Sequence, residues 1–484
     1  MQQIWADLID ALDPAQVDWI LKSGREQRIE SGEVLVAEDG EVGAIYFLIE
    51  GLLHARTRAL GGQVLATLGP GEIVGEISFV DRQRASASVV AAEDGLVLAL
   101  PRDVLEAQLA ADDAFAASFY RALAAIICRR LRATASRLGS MAGRTAEEED
   151  PALRQDVEAA VERLRRTLID ADTAAAMADG KVPEAVALRV EREFRVFERA
   201  LNDAIGELLD PPSPLNQHIG LQVQSELLPY VSKTRLGERL YSKPRGYGGD
   251  FSALELIYQN EPSGSGPLGP LLDRCLLESS AIRALRGRRG IVVEEIRKTV
   301  DAAGAVGRGT ARVMSIACGP ATEIFDVFAA LGDKSRLEPT LIDVDFQALL
   351  HVSELAYGHG LKDHVHSTVK NLVYLALGRG ELEAPEQDLV YSLGLIDYFN
   401  DNMVLRVIDH VHGVLRPGGR ILLGSFHPRN PSKAFLDHVL EWPLIHRTED
   451  ELSHLFERSA FARPATAVRF EEQQIYFVAE CVKG

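Results

Sequence analysis

The sequence predicts a multidomain protein that begins with a β-roll or jelly roll and a long helix, continues through a helical linker and cap, and ends in a doubly wound α/β sheet. Its 484 residues exceed what one hydrophobic core usually supports. Short β-rich runs separated by glycine fill residues 32–100, whereas strand-like and helix-like runs alternate after residue 310. The predicted divisions are residues 1–140, 141–300 and 301–484.

Composition narrows the class of protein. The chain is 46% hydrophobic and 25% charged, which is ordinary for a globular protein, and its formal charge of -19 argues against DNA or an anionic membrane as the main partner. The N-terminus does not have the basic stretch followed by an apolar core that is typical of a signal peptide. The sequence contains no run of 18 apolar residues, so we expect no integral membrane contact. The four cysteines lack disulfide or metal spacing, so we expect a cytoplasmic protein. They are Cys128, Cys275, Cys318 and Cys481.

The N-terminal β-rich runs have the spacing of a small roll. Turns with glycine separate them, as in a β-roll or jelly roll. The runs cover residues 33–36, 44–49, 51–56, 64–68, 88–91 and 96–100. A helix with one apolar stripe is predicted next, because apolar residues recur at steps of three to five. They are Phe115, Phe119, Leu123, Ile126, Leu131 and Leu138.

Residues 15–138 resemble the cyclic nucleotide-binding domain family. The matching motifs lie at residues 32–35, 46–51, 68–77 and 87–91. The resemblance implies a binding site for cAMP or cGMP that includes Gly75, Glu76 and Ile77, with Glu76 on the ribose 2′-hydroxyl. An arginine would pair with the phosphate, and Arg84 is the candidate, although an ungapped alignment places Ala85 at the family's arginine position.

Two roles therefore remain open for this region: nucleotide binding, or a degenerate sensor fold retained for dimerisation or docking. The resemblance also implies a homodimer through the helix at residues 113–138. Many relatives continue into a helix-turn-helix, but an acidic linker at residues 143–151 follows here. DNA binding is therefore not expected.

The middle of the chain predicts helices and one unusual loop. Apolar residues between 183 and 210 keep a three/four period that ends at the prolines of residues 211–214. Residues 240–251 then combine three glycines, two tyrosines and several charges, a composition typical of a loop that serves a site. Lys243 and Arg245 are candidates to meet a carboxylate, and Tyr247 and Asp250 to hydrogen-bond substrate or cofactor. Alternatively, the loop only attaches the helical cap to the last domain.

The C-terminal region predicts a Rossmann-like nucleoside site. A strand-like run ends at Cys318-Gly319-Pro320 before a predicted helix, and the next apolar run ends on Asp343 and Asp345. A tight turn of small residues allows a ligand to approach the backbone, and an acid at the next strand end can hold ribose hydroxyls. A dehydrogenase is the alternative for such a sheet, but the glycine spacing is not G-x-G-x-x-G.

Residues 310–484 resemble the class I S-adenosylmethionine-dependent methyltransferases. Four motifs occur in order, at residues 316–323, 341–349, 388–395 and 415–422. The resemblance implies S-adenosylmethionine as cofactor, with Asp343 as the ribose-binding acid and Asp345 as the alternative. The implied cofactor-binding residues are Ala317, Cys318, Gly319, Pro320, Glu323, Asp343, Asp345, Asn371, Ser392, Leu393 and Gly394.

The methyl acceptor is suggested by a second resemblance. Residues 243–250, 424–429 and 441–447 are similar to a bacterial methyltransferase group associated with 3-hydroxy fatty acid methyl ester signals. This implies that Arg245 or Arg429 orients a carboxylate, while Tyr247 and His427 shape the acceptor site. His427 could instead be a general base for a hydroxyl acceptor, or only cap a strand end.

The sequence thus predicts an S-adenosylmethionine-dependent O-methyltransferase for a small molecule, forming S-adenosylhomocysteine and carrying a regulatory N-terminal domain. Its candidate catalytic residues are Tyr247, His427, Arg245 and Asp250. The alternative is a non-catalytic sensor or scaffold that binds the cofactor and a nucleotide. No metal is expected, because His410 and His412 lie two apart on a predicted helix and face different directions.

Overall fold

The computed structural model of this chain describes residues 12, 14–58, 64–141, 151–205, 214–245, 247–376, 382 and 384–484. Several predicted features lie outside these residues: the acidic linker up to residue 150, the end of the predicted helix at residues 206–213, and Gly246. The side chains of Leu131 and Leu138 are also outside the described set.

The N-terminal region is a roll of two four-stranded sheets, which confirms the predicted fold. The first sheet has the order β1-β8-β3-β6 and the second β2-β7-β4-β5. Apolar side chains alternate into the interior, and Ile45 and Phe47 of β3 are fully buried. The strands are β1 Arg25–Ile29, β2 Val34–Val36, β3 Ala44–Glu50, β4 Leu53–Arg56, β5 Val64–Leu68, β6 Ile73–Val74, β7 Ser88–Ala91 and β8 Gly95–Pro101.

Helices flank this roll, and the last one is long, as predicted. Phe115 and Phe119 of α4 are fully buried and stack on each other with ring centroids 5.6 Å apart. Burial of these two rings therefore fastens the base of α4 to the roll. The helices are α1 Pro14–Ser23, α2 Glu76–Asp81, α3 Arg102–Ala111 and α4 Asp113–Met141.

The middle of the chain is helical, as predicted. The described part of the predicted amphipathic helix is α6, whose buried face includes Val190, Phe194, Phe197 and Leu201. The helices are α5 Pro151–Ala176, α6 Glu184–Ala204, α7 Pro214–Val231, α8 Arg235–Ser242, α9 Phe251–Gln259, α10 Leu268–Leu277 and α11 Ser280–Ala305. The helix α11 contacts β9, β12 and β15, and so joins the middle helices to the C-terminal sheet.

The C-terminal sheet has seven strands in the order β11-β10-β9-β12-β13-β15-β14. The first five in this order are parallel, whereas β15 pairs antiparallel with both β13 and β14. The doubly wound parallel prediction is thus confirmed for the core and extended by an antiparallel edge. The strands are β9 Ala311–Ile316, β10 Leu337–Asp343, β11 His366–Val369, β12 Gln387–Ser392, β13 Leu415–Phe426, β14 Ala467–Phe470 and β15 Tyr476–Val482.

Helices of this domain follow the strands in the expected alternation. They are α12 Thr322–Ala330, α13 Phe346–Gly358, α14 Leu372–Ala376, α15 Asp401–Val414 and α16 Glu449–Arg458, and a π-helix covers Phe435–Val439. The strand β9 lies between β10 and β12, so the chain reverses its winding direction at this point. Such a switch point leaves a crevice at the carboxyl ends of the strands, which is where ligands bind in open α/β sheets. None of the helices in the described segments combines the length and apolarity needed to cross a bilayer.

Candidate functional site

A cavity lies at the carboxyl ends of β9, β10 and β12, at the switch point of the sheet. Its lining combines residues of these strand ends with residues of α9, α11 and the loop before α9. The sequence-predicted cofactor residues in the lining are Ala317, Cys318, Gly319, Pro320, Glu323, Asp343, Asn371, Leu393 and Gly394. The structure therefore brings together residues from the first three sequence motifs, at residues 316–323, 341–349 and 388–395.

The turn after β9 has an unusual backbone conformation. Ala317, Gly319 and Ala321 have φ angles of 55°, 52° and 47°, in the left-handed region that favours glycine. A non-glycine residue in this region is strained and requires support from its surroundings. The two alanines therefore keep the turn despite the departure from the usual glycines, and α12 begins directly after it.

Asp343 ends β10 and holds the turn in place. Its Oδ2 accepts a hydrogen bond of 2.8 Å from the Gly319 N–H, and its Oδ1 accepts one of 3.0 Å from the Asp345 N–H. Burial raises the pKa of this carboxyl, while the two backbone donors act in the opposite direction. A carboxylate has about four lone-pair sites, so two remain for a ligand's hydroxyl groups.

Asp345 and Ser392 do not line the cavity. Asp345 caps α13 by accepting a 2.8 Å bond from the Gln347 N–H, and Ser392 donates a 2.8 Å bond to the Ile316 carbonyl. The carboxylate of Asp345 serves a helix N-terminus, and its role as the ribose-binding acid stays the less favoured prediction. Glu323, in contrast, lines the cavity and accepts a 2.7 Å bond from the Tyr391 hydroxyl.

The loop before α9 contributes Tyr247 to the cavity but not Arg245 or Asp250. Burial raises the pKa of Tyr247 well above its usual value, and the carboxylates of Asp343 and Asp345 act in the same direction. Tyr247 therefore remains a neutral phenol near pH 7 and can donate a hydrogen bond.

Arg245 and Asp250 have structural partners instead of a ligand. Arg245 pairs with Asp345 at 3.1 Å and lies over the Phe251 ring at 4.7 Å. Asp250 is fully buried, caps α9 through the Ala253 N–H, and binds Arg239 through both oxygens at 3.0 and 2.8 Å. These bonds engage both oxygens of the Asp250 carboxylate, and a hydrogen bond from Asp250 to a substrate stays a prediction.

His427 and Arg429 also lie outside the cavity lining. His427 Nε2 is 3.2 Å from Glu449, and its ring packs near Phe470 and Phe477. The Arg429 guanidinium lies 4.9 Å from the Phe470 ring. The structure thus shows a side chain that packs at the end of β13, and a role of His427 at the methyl acceptor stays a prediction.

Sequence reasoning missed a buried arginine in this cavity. Arg288 of α11 is 4% exposed, and its Nη1 donates to the Leu393 carbonyl and, at 3.2 Å, to the Tyr476 hydroxyl. Its Nε has no hydrogen-bond partner, and within the described parts of the chain it forms no ion pair with a carboxylate. An arginine stays charged at any physiological pH, so a cation is buried here without a directly paired anion.

The sequence did contain a signal for Arg288. The buried residues Ala281, Leu285, Val292 and Ile296 of α11 follow steps of three and four, and Arg288 falls on the same stripe. Arg286 and Arg289 lie on either side of Arg288 in the sequence, so the single arginine on the apolar stripe is part of a cluster of arginines. These two arginines bind Glu278 and Asp326 instead.

The end of the cavity around Arg288 is mostly aromatic and aliphatic. The Trp442 Nε1–H donates a 2.8 Å bond to the Tyr398 hydroxyl. Asp397 lies in the same lining, accepts a 2.7 Å bond from Ser425, and has its pKa raised to about 6 by burial. The apolar residues of this end are Leu285, Phe399, Phe426, Trp442 and Leu444.

In the N-terminal region, the carboxylate of Glu76 is already paired with an arginine of the same chain. Arg130 of α4 pairs with the buried Glu76 and, at 2.5 Å, with Glu72. Arg84 lies apart from this cluster, where it donates a 3.3 Å bond to the Asp39 carbonyl, and Ala85 is buried. Gly75 has a left-handed backbone, and Ile77 is 43% exposed. The structure therefore does not bring Arg84 to Glu76.

Comparison with known families identifies both regions. The family model described as "Putative methyltransferase" matches residues 208–481, and the model described as "Cyclic nucleotide-binding domain" matches residues 26–112. The first match covers more than half of the chain.

Individual relatives match parts of the chain. The uncharacterized protein YnbC of Escherichia coli is 27% identical over 246 residues, which is 48% of this chain and 40% of YnbC. The cyclic AMP receptor protein of Thermus thermophilus is 37% identical over 128 residues, which is 26% of this chain and 57% of that protein. The chain thus spans less than two thirds of the length of either relative.

Solved structures are more distant. The magnesium protoporphyrin IX methyltransferase ChlM from Synechocystis, with bound SAM, is 13% identical with a TM-score of 0.31 and covers 42% of this chain and 83% of its own. The catabolite activator protein of Thermus thermophilus is 28% identical with a TM-score of 0.25, over 38% of this chain and 85% of its own. The match to the family models is what assigns this chain: it belongs to the methyltransferase family that matches residues 208–481, and it carries an N-terminal cyclic nucleotide-binding domain.

Proposed function

We propose that this protein transfers a methyl group from S-adenosylmethionine to an oxygen of an anionic small molecule. The donor set of the cavity fits the methyl donor. Asp343 has free lone pairs for ribose hydroxyls, and Asn371 lies beside it at the adenine end. The buried carboxylate of Glu323 is suited to the donor's ammonium group.

Arg288 carries the proposal for the acceptor. Among the described residues it forms no ion pair with a carboxylate, its Nε has no hydrogen-bond partner, and it lies next to Gly394, where an added Cβ would be 3.6 Å from Nη1. A planar guanidinium matches the geometry of a carboxylate, and burial strengthens such a bond. We therefore infer that Arg288 anchors a carboxylate at the floor of the cavity.

The remaining walls favour an acceptor with an apolar body. Leu285, Phe426 and Leu444 line the same end of the cavity as Arg288. Apolar walls with one charged anchor are typical of a site for a ligand that combines a hydrocarbon part and one polar group. A fatty-acid-like carboxylate, such as a 3-hydroxy fatty acid, meets both requirements.

The proposed reaction needs orientation more than base catalysis. S-adenosylmethionine supplies an activated methyl group. The acceptor oxygen forms a bond to the methyl carbon as the sulfur–methyl bond breaks, and the electron pair of the broken bond stays on the sulfur. A carboxylate is already ionised near pH 7, so no residue must remove a proton. Arg288 would fix the acceptor, and Tyr247 would hydrogen-bond it, which are contributions of positioning.

A second candidate acceptor is a hydroxyl group, and one observation favours it. Asp397 lines the cavity, and its pKa is raised to about 6, close to the value that suits a general base near neutral pH. If the methyl acceptor is a hydroxyl group, the Asp397→Asn variant should lose methyltransferase activity. If the acceptor is a carboxylate, the activity should not depend on Asp397, because no proton has to be removed. The non-catalytic alternative is a protein that binds the donor without turnover.

Label transfer from methyl-labelled S-adenosylmethionine to a panel of 3-hydroxy fatty acids and phenols tests the proposal. We expect a base-labile labelled ester with the fatty acids, and its loss in Arg288→Met with S-adenosylhomocysteine affinity retained. Arg283→Met is the matched control, since Arg283 lies on the same helix with a 40% exposed side chain. Labelled phenols would favour the hydroxyl acceptor, and no product despite donor binding would favour the scaffold.

The N-terminal domain is proposed to act on this site. The family match suggests cAMP or cGMP as its ligand. A nucleotide ribose at Glu76 would have to share this carboxylate with Arg130. Addition of either nucleotide during the label-transfer assay tests for an effect on the rate.

A further inference from the structure

Two residues of the N-terminal domain lie in the wall of the cavity formed by the methyltransferase domain. They are Ile49 near the end of β3 and Pro70 in the turn between β5 and β6. Ile49 is 4% exposed, and its carbonyl accepts a 3.3 Å hydrogen bond from Asn371 Nδ2. The two domains are therefore in direct contact at the edge of the cavity.

This contact is at the nucleoside end of the cavity. Asn371 follows β11 at the carboxyl edge of the sheet, and Lys370 next to it donates a 3.0 Å backbone bond to the Asp343 carbonyl. Asp343 is the acid that fits the ribose. The N-terminal residues thus border the part of the cavity next to the ribose acid, not the part lined by Arg288.

The two wall residues are fixed to each other by the backbone. The Leu48 N–H donates to the Glu72 carbonyl at 2.9 Å, and the Gly71 N–H donates to the Leu48 carbonyl at 2.8 Å. Glu72 in turn holds Arg130 of α4. Ile49 and Pro70 therefore form one unit whose position is coupled to the Arg130 cluster.

A charged contact lies at the same interface. Glu93, between β7 and β8, is close enough to interact electrostatically with Arg245 and Asp345. Arg245 and Asp345 are themselves paired at 3.1 Å. The domains therefore meet through an apolar residue, a hydrogen bond and charges, as expected of a defined interface.

We propose that Ile49 and Pro70 contact the purine end of the bound methyl donor, so that the N-terminal domain completes the donor site. This inference rests on the proposed function, because it takes S-adenosylmethionine as the ligand of the cavity. It assigns the N-terminal domain a direct part in donor binding, and it makes donor affinity depend on how that domain is seated.

Titration calorimetry with S-adenosylhomocysteine and with methylthioadenosine tests the proposal on the full chain. Methylthioadenosine has the purine and ribose but lacks the amino acid part. We expect Ile49→Ala to weaken both ligands by about tenfold, because each loses the same apolar contact. Ile29→Ala is the matched control: Ile29 is 2% exposed in the core of the same domain and is not part of the cavity lining.

The outcomes separate the two levels of the proposal. The proposed contact of Ile49 and Pro70 with the donor is wrong if Ile49→Ala binds both ligands with wild-type affinity, or if Ile29→Ala loses as much affinity as Ile49→Ala does. Either result leaves the proposed methyl-donor site intact. If the wild-type chain binds neither ligand, the proposed function itself fails. The proposed contact is supported if Ile49→Ala loses affinity for both ligands while Ile29→Ala binds them as the wild type does.

Discussion

Asp343 and Arg288 are the two charged residues on which the proposed site depends, and burial gives each its role. The carboxylate of Asp343 is 5% exposed and supports the turn at Gly319. The residue Arg288 is 4% exposed, its Nε has no hydrogen-bond partner, and in the described part of the chain its guanidinium forms no ion pair with a carboxylate. A buried charge that is incompletely paired gains more from a complementary ligand than an exposed one does, because water competes less.

The first prediction concerns the ribose acid. Asp343→Ala should weaken S-adenosylhomocysteine binding by at least about tenfold, or roughly 1.4 kcal/mol, because the carboxylate that accepts hydrogen bonds from the ribose hydroxyls is lost. Asp345→Asn should bind within about twofold of the wild type. Asparagine keeps the cap of α13, and Asp345 is not in the cavity lining. Calorimetry measures both, and equal losses would reinstate Asp345 as a ligand of the ribose.

The second prediction concerns pH and the buried Glu198 of α6. Burial raises the pKa of Glu198 from 4.5 to about 8, and its Oε1 has no hydrogen-bond partner. The folded protein therefore holds a proton that the unfolded chain releases, and the contribution of this group to stability falls as pH rises from about 4.5 to 8.

Glu198→Gln removes this titration. Its free energy of unfolding relative to the wild type should increase between pH 5 and pH 8.5, by about 1–3 kcal/mol, in urea unfolding followed by circular dichroism. Asp203→Asn on the same helix is the control, because Asp203 is exposed. A pH-independent difference for Glu198→Gln would show that this carboxyl is ionised in the folded protein.

At the scale of elements, α4 and α11 have related roles. Each is a long helix that brings one arginine to a site formed by strands and loops of another part of the fold. Arg130 of α4 reaches the segment after β5, and Arg288 of α11 reaches the end of β12. Arg130 has two carboxylate partners, which makes it a structural clamp, whereas no ion pair of Arg288 occurs among the residues that the structure describes.

The third prediction follows from this clamp. Arg130→Met should lower the free energy of unfolding of the N-terminal domain by about 3–5 kcal/mol, because it leaves Glu72 and Glu76 without their shared cation. The double variant Arg130→Met with Glu76→Gln should recover part of this loss, since one buried charge is removed as well. Urea unfolding of the wild type, of Arg130→Met, of Glu76→Gln and of the double variant completes the cycle, and additive losses would show that Arg130 and Glu76 are not coupled.

At the scale of the whole molecule, the N-terminal roll lies against the carboxyl edge of the C-terminal sheet. Ile49 and Asn371 join the two domains, and the cavity has lining residues from both. This arrangement gives the cyclic nucleotide-binding domain a physical route to the methyl-donor site. By linkage, if a ligand of the roll changes the affinity of the cavity for its own ligand, the ligand of the cavity changes the affinity of the roll for its ligand by the same factor.

The fourth prediction concerns nucleotide binding by this domain. Ala85 is buried at the position where the resemblance places an arginine, and Arg84 is bonded to Asp39 instead. Ala85→Arg should therefore increase cAMP affinity by about tenfold or more, because it supplies a charge-assisted bond to the phosphate. Ala85→Met provides a long side chain without charge as the control. Equal affinities in calorimetry would show that no phosphate lies near residue 85, and Arg84→Ala should have no effect on cAMP binding.

Some functional residues could be predicted from the sequence because their local pattern contains their role. The turn at Gly319 and the acid at Asp343 follow consecutive strand-like runs, so parallel pairing must bring them together. The side-chain partners of His427 and Asp250 could not be predicted, for a common reason. Both occur in polar, site-like segments, but the direction of a side chain at a strand end or a helix cap depends on its tertiary neighbours.

The sequence by itself determined the order of the domains, the strand–helix alternation and the motifs of the donor site, because these are set by local periodicity and by spacing along the chain. The apolar stripe of α11 indicates that Arg288, and not Arg286 or Arg289, is on the buried face, but only the tertiary structure decided that this face meets the cavity, since α11 packs on the sheet. It also decided that Ile49 and Pro70 border the donor site, because contacts between residues more than 300 positions apart leave no local pattern in a single sequence.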